Sequence, residues 1–315
     1  MNFWQKLPKP ILILAPMDDV TDFVFREIIS ETCKPDVLFT EFTSADGLMS
    51  KGKDKVIKKL LFSEKQRPIV AQIWGTLPEN YYKATKLISK LGFDGIDMNM
   101  GCPDKGVIKK NAGSGIIKDF NLAKEIISAV KQGCGKMAVS VKTRLGFDSV
   151  ITNEWISFLL EQKLNALTIH GRIATEMSKN KANWDEIKKS VEIRNKIAPE
   201  TIIIGNGDVK NYKQALEYSN KYKVDGIMIG RGVFSNPWVF EKDKHNHKTQ
   251  EYISLLLKHT RLYVKTWKNT KNFNVLKKFY KMYVREFDGA DLLRQKLMDC
   301  NNEEEVISVI NKFNF

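Results

Sequence analysis

Short apolar runs recur along the chain at a regular interval. They are rich in strand-forming residues such as Ile and Val, and successive runs start about 31 residues apart. The eight runs are Ile11–Met17, Val37–Phe42, Pro68–Trp74, Gly95–Gly101, Ala138–Arg144, Ala166–Gly171, Thr201–Gly207 and Gly226–Gly230. Each is apolar almost throughout rather than at alternate positions, which is typical of parallel strands covered on both faces. The pattern therefore predicts eight parallel strands.

Segments with helical periodicity lie between these runs. They include Glu79–Leu91, Asn121–Gln132, Asn153–Gln162, Trp184–Ile197 and Tyr212–Lys223. Eight βα units of this length predict an α/β fold, a (β/α)8 TIM barrel. A doubly wound sheet is the alternative. It is disfavoured because the first run ends in Ala-Pro-Met-Asp and the chain contains no GxGxxG motif.

The βα interval ends after Pro237. From Phe240 onward the sequence has almost no Gly or Pro, and apolar positions recur with helical spacing. The helical stripes are Tyr252–Trp267, Val275–Phe287 and Glu303–Phe313. We therefore expect a barrel over residues 1–240 and a small all-helical domain over residues 241–315.

The positive charge is unusual for a chain whose hydrophobic content of 43% and charged content of 28% are ordinary. The net charge is +14, and between residues 241 and 298 there are fourteen Lys and Arg against six Asp and Glu. Cations and aromatics mix there, at Lys265, Trp267, Lys268, Lys271, Lys277, Lys278, Tyr280, Lys281 and Arg285. One interpretation is a surface for nucleic-acid phosphates and bases. The other is an ordinary solvated helix surface with its aromatics in the core.

The four cysteines, Cys33, Cys102, Cys134 and Cys300, lie far apart without metal-ligand spacing. They predict neither a disulfide framework nor a metal site, and they favour a reducing, cytoplasmic location. The first apolar run is too short for a membrane span or a signal peptide, so we expect no membrane association.

Polar residues collect where the predicted strands end. They are Gln72, Asn99 and Cys102, Lys142 to Arg144, His170 to Arg172, Asn206 to Asp208, and Gly230 to Gly232. Any one of them could be an ordinary surface residue. Because the carboxyl ends of barrel strands meet on one rim, the set predicts an active site there.

Glycines mark the ends of the last two predicted strands, where barrels commonly bind phosphate. Backbone N–H groups of Gly207, Gly230 and Arg231 could hold a phosphorylated cofactor, with the Arg231 guanidinium as a second donor. Lys142 and Gln72 would suit the polar edge of a flat heterocycle such as a flavin.

Cys102 belongs to the turn Asn99-Met100-Gly101-Cys102-Pro103. Glycine permits a tight turn and proline fixes φ, so the thiol is held by the backbone. The segment alone leaves open whether this thiol is reactive or a small buried hydrophobe.

Taken in order, these motifs resemble the tRNA-dihydrouridine synthases, most of all the bacterial B-type branch. The resemblance rests on Ala15-Pro16-Met17, Thr21-Asp22, Gln72, Asn99 to Pro103, Lys142 to Gly146, His170 to Arg172, Asn206 to Asp208, Gly230 to Gly232, Phe287 to Ala290 and Leu293-Arg294. It implies an FMN-dependent barrel that reduces the C5–C6 double bond of uridines in tRNA, with NADPH or NADH as reductant.

The resemblance also implies roles for individual residues. Those expected to contact FMN are Pro16, Met17, Asp18, Gln72, Lys142, His170, Asn206, Gly207, Asp208, Gly230 and Arg231. Cys102 would be the general acid that protonates uracil C5, and Asn99, Arg144 and Arg172 would meet the target nucleotide. Ile173 replaces the family's usual Thr, and residues 174–183 follow the family pattern poorly.

Two other functions remain open at this stage. An FMN barrel acting on a free small molecule would explain the barrel and Cys102 but not the basic C-terminal segment. A non-catalytic tRNA-binding protein would explain the basic segment but not the flavin and acid positions. We expect a monomer with no obligatory protein partner.

Overall fold

Parallel strands close into a barrel in the computed structural model, which describes residues 2–243, 245–268 and 270–313. The described residues form nine strands: β1 Ile11–Leu14, β2 Val37–Phe39, β3 Thr43–Ser44, β4 Ile69–Trp74, β5 Gly95–Met100, β6 Ala138–Arg144, β7 Ala166–His170, β8 Ile202–Asn206 and β9 Gly226–Ile229. β1 pairs with both β2 and β9, and β2 pairs with β4, so the ring is complete. Every predicted run contains a strand, and the TIM barrel prediction is confirmed.

The helices flank the barrel and then continue beyond it. They are α1 Phe23–Cys33, α2 Ala45–Leu48, α3 Lys53–Val56, α4 Pro78–Lys90, α5 Lys105–Ile108, α6 Phe120–Gly133, α7 Thr152–Glu161, α8 Trp184–Ile197, α9 Tyr212–Tyr222, α10 Thr249–Trp267, α11 Asn274–Lys277, α12 Tyr280–Tyr283, α13 Ala290–Asp299 and α14 Glu303–Asn311. The five predicted barrel helices agree with α4 and α6 to α9 within one residue at each end. The stripe at 275–287 instead forms two single turns, α11 and α12, and α13 was not predicted as a separate helix.

The second predicted strand is interrupted, so the expectation of one continuous strand over Val37–Phe42 was wrong. β2 ends at Phe39, and pairing with β4 resumes in β3, where Thr43 lies opposite Ile73. Between them lies Glu41, which is 1% exposed. Its carboxylate accepts the N–H of Asp19 at 2.7 Å, a contact between two loops that a local pattern does not reveal.

The barrel interior is packed at its amino end. Alternate residues of β1, such as Ile11 and Ile13, point inward to a buried cluster, while Leu12 and Leu14 pack against the surrounding helices. Trp4, from the 3₁₀ turn Phe3–Lys6, joins that inner cluster and is fully buried. Apolar side chains thus fill the amino end of the barrel, and the polar residues concentrate at the carboxyl end.

The C-terminal helices pack against α1 of the barrel. Phe25 on α1 stacks on Phe279 with ring centroids 5.0 Å apart, within one continuous hydrophobic cluster. Trp267 and Tyr280 are only 4% and 1% exposed. The interpretation that these two aromatics form an exposed base-binding surface was therefore wrong, and the alternative that places them in the core is correct. A domain boundary at residue 240 stays a prediction.

Within the described part of the chain, no helix combines the length and apolar character needed to cross a membrane.

Asp22 connects the barrel to the C-terminal helices. Its carboxylate caps α1 by accepting the N–H of Phe25 at 2.9 Å, and it also accepts the indole N–H of Trp267 at 3.0 Å. The ammonium of Lys271 lies 2.9 Å from the same carboxylate. One buried side chain thus partners groups from both parts of the chain.

Asp22→Ala is expected to lower the free energy of unfolding by about 2–4 kcal/mol, because it removes a helix cap and leaves the buried indole N–H unpaired. Urea unfolding followed by tryptophan fluorescence measures the change. Asp185→Ala, in the exposed first turn of α8, is the matched control and should shift stability by less than about 0.5 kcal/mol. Equal losses in the two variants would contradict this role of Asp22.

Candidate active site

A cavity of about 890 Å³ opens at the carboxyl end of the barrel. Most of the residues singled out from the sequence line it: Pro16, Met17, Gln72, Asn99, Cys102, Lys142, Arg144, His170, Asn206, Gly207, Asp208, Gly230 and Arg231. They come from seven different strand ends, as expected when a parallel barrel gathers its carboxyl ends on one rim. Asp18 and Arg172 are not among the lining residues.

The Cys102 turn is fixed by Asn99. The side-chain oxygen of Asn99 accepts the N–H groups of Gly101 and Cys102 at 3.1 and 2.9 Å. On the other side, the carbonyl of Cys102 accepts the N–H of Ser114 at 3.0 Å. Gly113 makes this approach possible because its φ is +58° and a Cβ there would lie 2.9 Å from that carbonyl. The thiol is therefore held rigidly at the cavity wall.

Burial raises the pKa of the Cys102 thiol above its ordinary value, although the backbone N–H of Asp104 and the nearby Arg144 act in the opposite direction. A raised pKa keeps the group protonated at neutral pH. Nucleophilic cysteines need the opposite shift, toward the thiolate. The environment thus suits a proton donor.

A buried chain of hydrogen bonds leads from Asp97 to the Cys102 turn. The Asp97 carboxylate accepts from Ser140 Oγ at 2.6 Å and from Gln72 Nε2 at 2.8 Å. Gln72 Oε1 in turn accepts from Asn99 Nδ2 at 3.1 Å. Asp97 was not among the residues singled out from the sequence, although a carboxylate inside an apolar strand is a signal for such a residue. Asp97 is a positioning residue for the rim.

Lys142 brings an unpaired positive charge to the cavity. Among the residues that the structure describes, none accepts a hydrogen bond from its ammonium. Removal of water, followed by the repulsion of Arg144, lowers the pKa of Lys142 to about 8. The group is still mostly protonated at pH 7, so this wall of the cavity favours an anionic or electron-rich ligand.

Arg172 organises the neighbouring polar groups rather than lining the cavity. It is 3% exposed, and its guanidinium donates to both carboxylate oxygens of Asp208, at 2.7 and 2.5 Å. Although burial alone would raise the pKa of Asp208, these hydrogen bonds hold it below its usual value. Asp208 also lies 3.3 Å from the guanidinium of Arg231 and so orients that side chain toward its place on the rim.

His170 is neutral in this environment. Burial, together with the nearby cations Lys142, Arg144 and Arg172, moves its pKa well below the ordinary value. Arg172 Nη1 lies 3.1 Å from His170 Nε2. Because a guanidinium can only donate, Nε2 must accept and the proton sits on Nδ1. His170 can thus donate from Nδ1 to a ligand.

Arg144 lines the cavity and holds the loop that follows β7. Its guanidinium donates to the carbonyls of Gly101, Ile173 and Met177 at 2.8, 3.0 and 2.9 Å. This loop, residues 173–183, contributes Met177, Ser178, Lys181 and Ala182 to the cavity wall. Lys181, and the Trp184 that follows the loop, were not predicted as site residues because the sequence of this loop has no recognisable pattern.

Gly207 and Gly230, which follow β8 and β9, differ in the space available around their backbones. Gly207 has a φ of +132°, and a Cβ there would come within 2.6 Å of Ala182. At Gly230 a Cβ would meet nothing closer than 3.6 Å. The first glycine allows the loop to pack, whereas the second leaves its backbone open to a ligand. Asp18, by contrast, forms an ion pair with Lys59 beyond the cavity wall.

Asp97→Asn is expected to destabilise the protein more at pH 4.5 than at pH 7. Burial raises the pKa of Asp97 to about 6, so the folded chain keeps a proton that the unfolded chain releases between pH 4 and 6. Protonation of Asp97 therefore stabilises the folded wild type at low pH, and this stabilisation is lost as pH rises through that window. The variant lacks it at every pH. Urea unfolding at both pH values measures the difference.

Asp148→Asn, at an exposed position, is the control and should leave stability unchanged at both pH values. A loss for Asp97→Asn that is equal at pH 4.5 and pH 7 would contradict a buried, protonated Asp97.

Comparison with known proteins agrees with this geometry. A family model described as dihydrouridine synthase (Dus) matches residues 13–314. A probable tRNA-dihydrouridine synthase of Staphylococcus aureus (strain COL) is 44% identical over 315 residues, which covers 99% of this chain and 95% of that protein. The probable tRNA-dihydrouridine synthase 2 of Bacillus subtilis (strain 168) is 43% identical, with coverage of 99% and 96%.

Solved structures share the barrel at low sequence identity. An old yellow enzyme homologue from Zymomonas mobilis superposes with a TM-score of 0.51 and 14% identity, covering 72% of this chain and 86% of that one. Morphinone reductase in complex with tetrahydroNAD gives 0.50 and 13%, covering 73% and 85%. At this level of identity the likeness concerns the fold.

Proposed function

This chain belongs to the dihydrouridine synthase family, whose members are flavin-dependent oxidoreductases acting on tRNA, and we propose that it reduces the C5–C6 double bond of tRNA uridines with FMN as cofactor. The observation that carries the proposal is the pairing of two groups in one cavity. Cys102 is a rigid thiol with a raised pKa, and the ammonium of Lys142 has no hydrogen-bond acceptor among the described residues. Cys102 can donate a proton, and the positive charge of Lys142 favours an electron-rich ligand.

The cavity residues fit FMN. Lys142 and Gln72 would meet the ring system, with Pro16, Met17 and the backbone of Asp18 along it. His170 would donate from Nδ1. The open backbone at Gly230 and the guanidinium of Arg231 would hold the phosphate, with Asn206, Gly207 and Asp208 beside them. Because the carboxylate of Asp208 is already paired with Arg172, it would act by orienting Arg231 rather than by touching the phosphate.

The chemistry divides between the cofactor and the thiol. When FMN is bound, it supplies the hydride for uridine C6. Negative charge then develops toward C5 and the C4 carbonyl, and Cys102 delivers a proton to C5. Asn99 holds the donor in place through the backbone of its turn. Arg144 lines the wall beside it and would stabilise the developing charge.

A second, basic groove would guide the tRNA backbone to this cavity. It has a volume of about 540 Å³, and Lys278, Lys281, Arg285 and Arg294 line it. Ser235 lines both the groove and the catalytic cavity, so the two lie next to each other. Cations arranged in this way suit phosphates that lead into a site where a base must leave its stack.

We further propose NADPH, or NADH, as the source of electrons, bound only transiently over the same cavity. All the residues proposed for cofactor binding and proton transfer come from one chain, so we propose that the enzyme acts as a monomer without an obligatory protein partner.

Incubation of the purified protein with NADPH and an unmodified tRNA transcript tests the function. Mass spectrometry of the digested tRNA should show conversion of uridine to dihydrouridine, and the purified protein should carry FMN. Free uracil and orotate serve as alternative substrates for a small-molecule oxidoreductase. Turnover of these compounds without any tRNA product would overturn the proposal, and so would a flavin-free protein that only binds tRNA.

A further inference from the structure

Two histidines and a glutamate cluster in the segment that leads from the barrel to α10. A carboxylate oxygen of Glu241 lies 2.8 Å from His245 Nδ1, and the other oxygen lies 3.0 Å from His247 Nε2. Each residue offers one potential ligand atom, and these three atoms all lie within 4.8 Å of one another. None of the three residues lines the catalytic cavity, and the proposed reaction does not use them.

A second carboxylate fixes the orientation of His247. Glu251 Oε1 lies 3.0 Å from His247 Nδ1, on the side of the ring that faces away from Glu241. Glu251 is itself held, because its other oxygen accepts the backbone N–H of Lys248 at 2.7 Å in the first turn of α10. Metal-bound histidines commonly donate their second ring N–H to a carboxylate in this way.

The ring of His247 is also held by packing. It stacks on Trp238 with centroids 3.8 Å apart and planes 10° from parallel. Its side chain is 12% exposed, whereas that of His245 is 64% exposed. One ligand is therefore fixed in the protein, and the other lies at the surface where an ion can enter.

We propose that Glu241, His245 and His247 form a binding site for a divalent transition-metal ion of the Zn²⁺ class. Two imidazoles and one carboxylate are a common protein ligand set for zinc, with a water molecule in the fourth position. Ca²⁺ and Mg²⁺ prefer oxygen ligands, so a site with two imidazole nitrogens suits them poorly. The ion takes the place of the two protons shared between Glu241 and the imidazoles, while His247 keeps its Nδ1 proton for Glu251.

An ion at this position would fasten the start of α10 to the end of the barrel. Trp238 lies just after the last barrel unit, and Glu251 lies in the first turn of α10. The site thus joins the two ends of the connecting segment. A bound ion would stabilise the folded chain by mass action.

The experiment uses the full chain, stripped with EDTA, and titrates it with Zn²⁺ by calorimetry. We expect one equivalent to bind and the Tm to rise by about 4 °C at 100-fold excess over Kd. Co²⁺ as a spectroscopic substitute should give visible bands of a nitrogen and oxygen site without a thiolate charge-transfer band. Failure to bind one equivalent at about 100 µM free Zn²⁺, which would saturate a site with a Kd of about 1 µM, would overturn the proposal.

Variants assign the site. His247→Gln and Glu241→Gln should each weaken Zn²⁺ binding at least about tenfold, and Glu251→Gln, which removes an outer partner, by about 10-fold. His245 is the most exposed of the three ligands, so His245→Gln can still be tested if the substitution of a more buried ligand makes the protein unstable. Glu217→Gln, an exposed position on α9, is the control and should bind as the wild type does. Unchanged binding in the ligand variants, or a thiolate band with Co²⁺, would show that the ion binds elsewhere and would refute this site.

Discussion

Replacing Cys102 with alanine should lower the rate of uridine reduction by about 10²-fold or more and leave the flavin content unchanged. The thiol is the proposed proton donor, and its turn is held by Asn99 and Ser114 through backbone contacts that alanine preserves. Single-turnover oxidation of the reduced enzyme by tRNA measures the step directly. Flavin absorbance measures cofactor content in the same sample.

Cys134→Ala is the matched control, because that thiol ends α6 at the far end of the barrel. It should turn over like the wild type. Since a general acid must be protonated, the wild-type rate should fall as pH rises through the raised pKa of Cys102, and this limb should vanish in Cys102→Ala. Turnover of Cys102→Ala at the wild-type rate would refute the assignment.

Reversing the charge of the basic groove should weaken tRNA binding by about tenfold or more. Lys278→Glu combined with Lys281→Glu places two negative charges in the groove that shares Ser235 with the catalytic cavity. Each lost phosphate contact also removes a released counterion, so the dependence of affinity on salt should become shallower. Fluorescence anisotropy of labelled tRNA at several salt concentrations measures both effects.

The control carries the same change of charge at the opposite end of the barrel. Lys136 precedes β6 and Lys196 lies in the last turn of α8, and both are exposed. Lys136→Glu combined with Lys196→Glu should lower affinity only slightly. If both double variants bound tRNA equally weakly, net charge rather than the groove would explain the binding.

These charge variants test the tRNA contacts more specifically than a deletion of the C-terminal helices would. Phe25 and Phe279 stack across the contact with α1, and Asp22 pairs with Trp267 and Lys271. Removing the helices would expose the apolar face of α1 and unpair Asp22. A loss of tRNA binding after deletion would therefore report lost stability as well as lost contacts.

Local patterns selected most of the residues that line the cavity but did not separate lining residues from supporting ones. Arg144 and Arg172 were both expected to meet the nucleotide. Arg144 lines the cavity, whereas Arg172 is buried beneath it and binds Asp208 and His170. Two arginines at the ends of neighbouring strands look alike in sequence, because the direction of each side chain depends on partners distant along the chain.

The sequence by itself determined where the barrel strands lie, apart from the break in the second one, and it placed Cys102 at the carboxyl end of the barrel. Hydrophobic periodicity is a local property, and a parallel barrel necessarily brings its carboxyl ends together. Only the tertiary structure decided which groups are buried, paired or charged. The link from Asp97 to Asn99 through Gln72, and that from Asp22 to Trp267, each join distant segments. Burial and hydrogen bonding depend on such contacts, so no local pattern contains them.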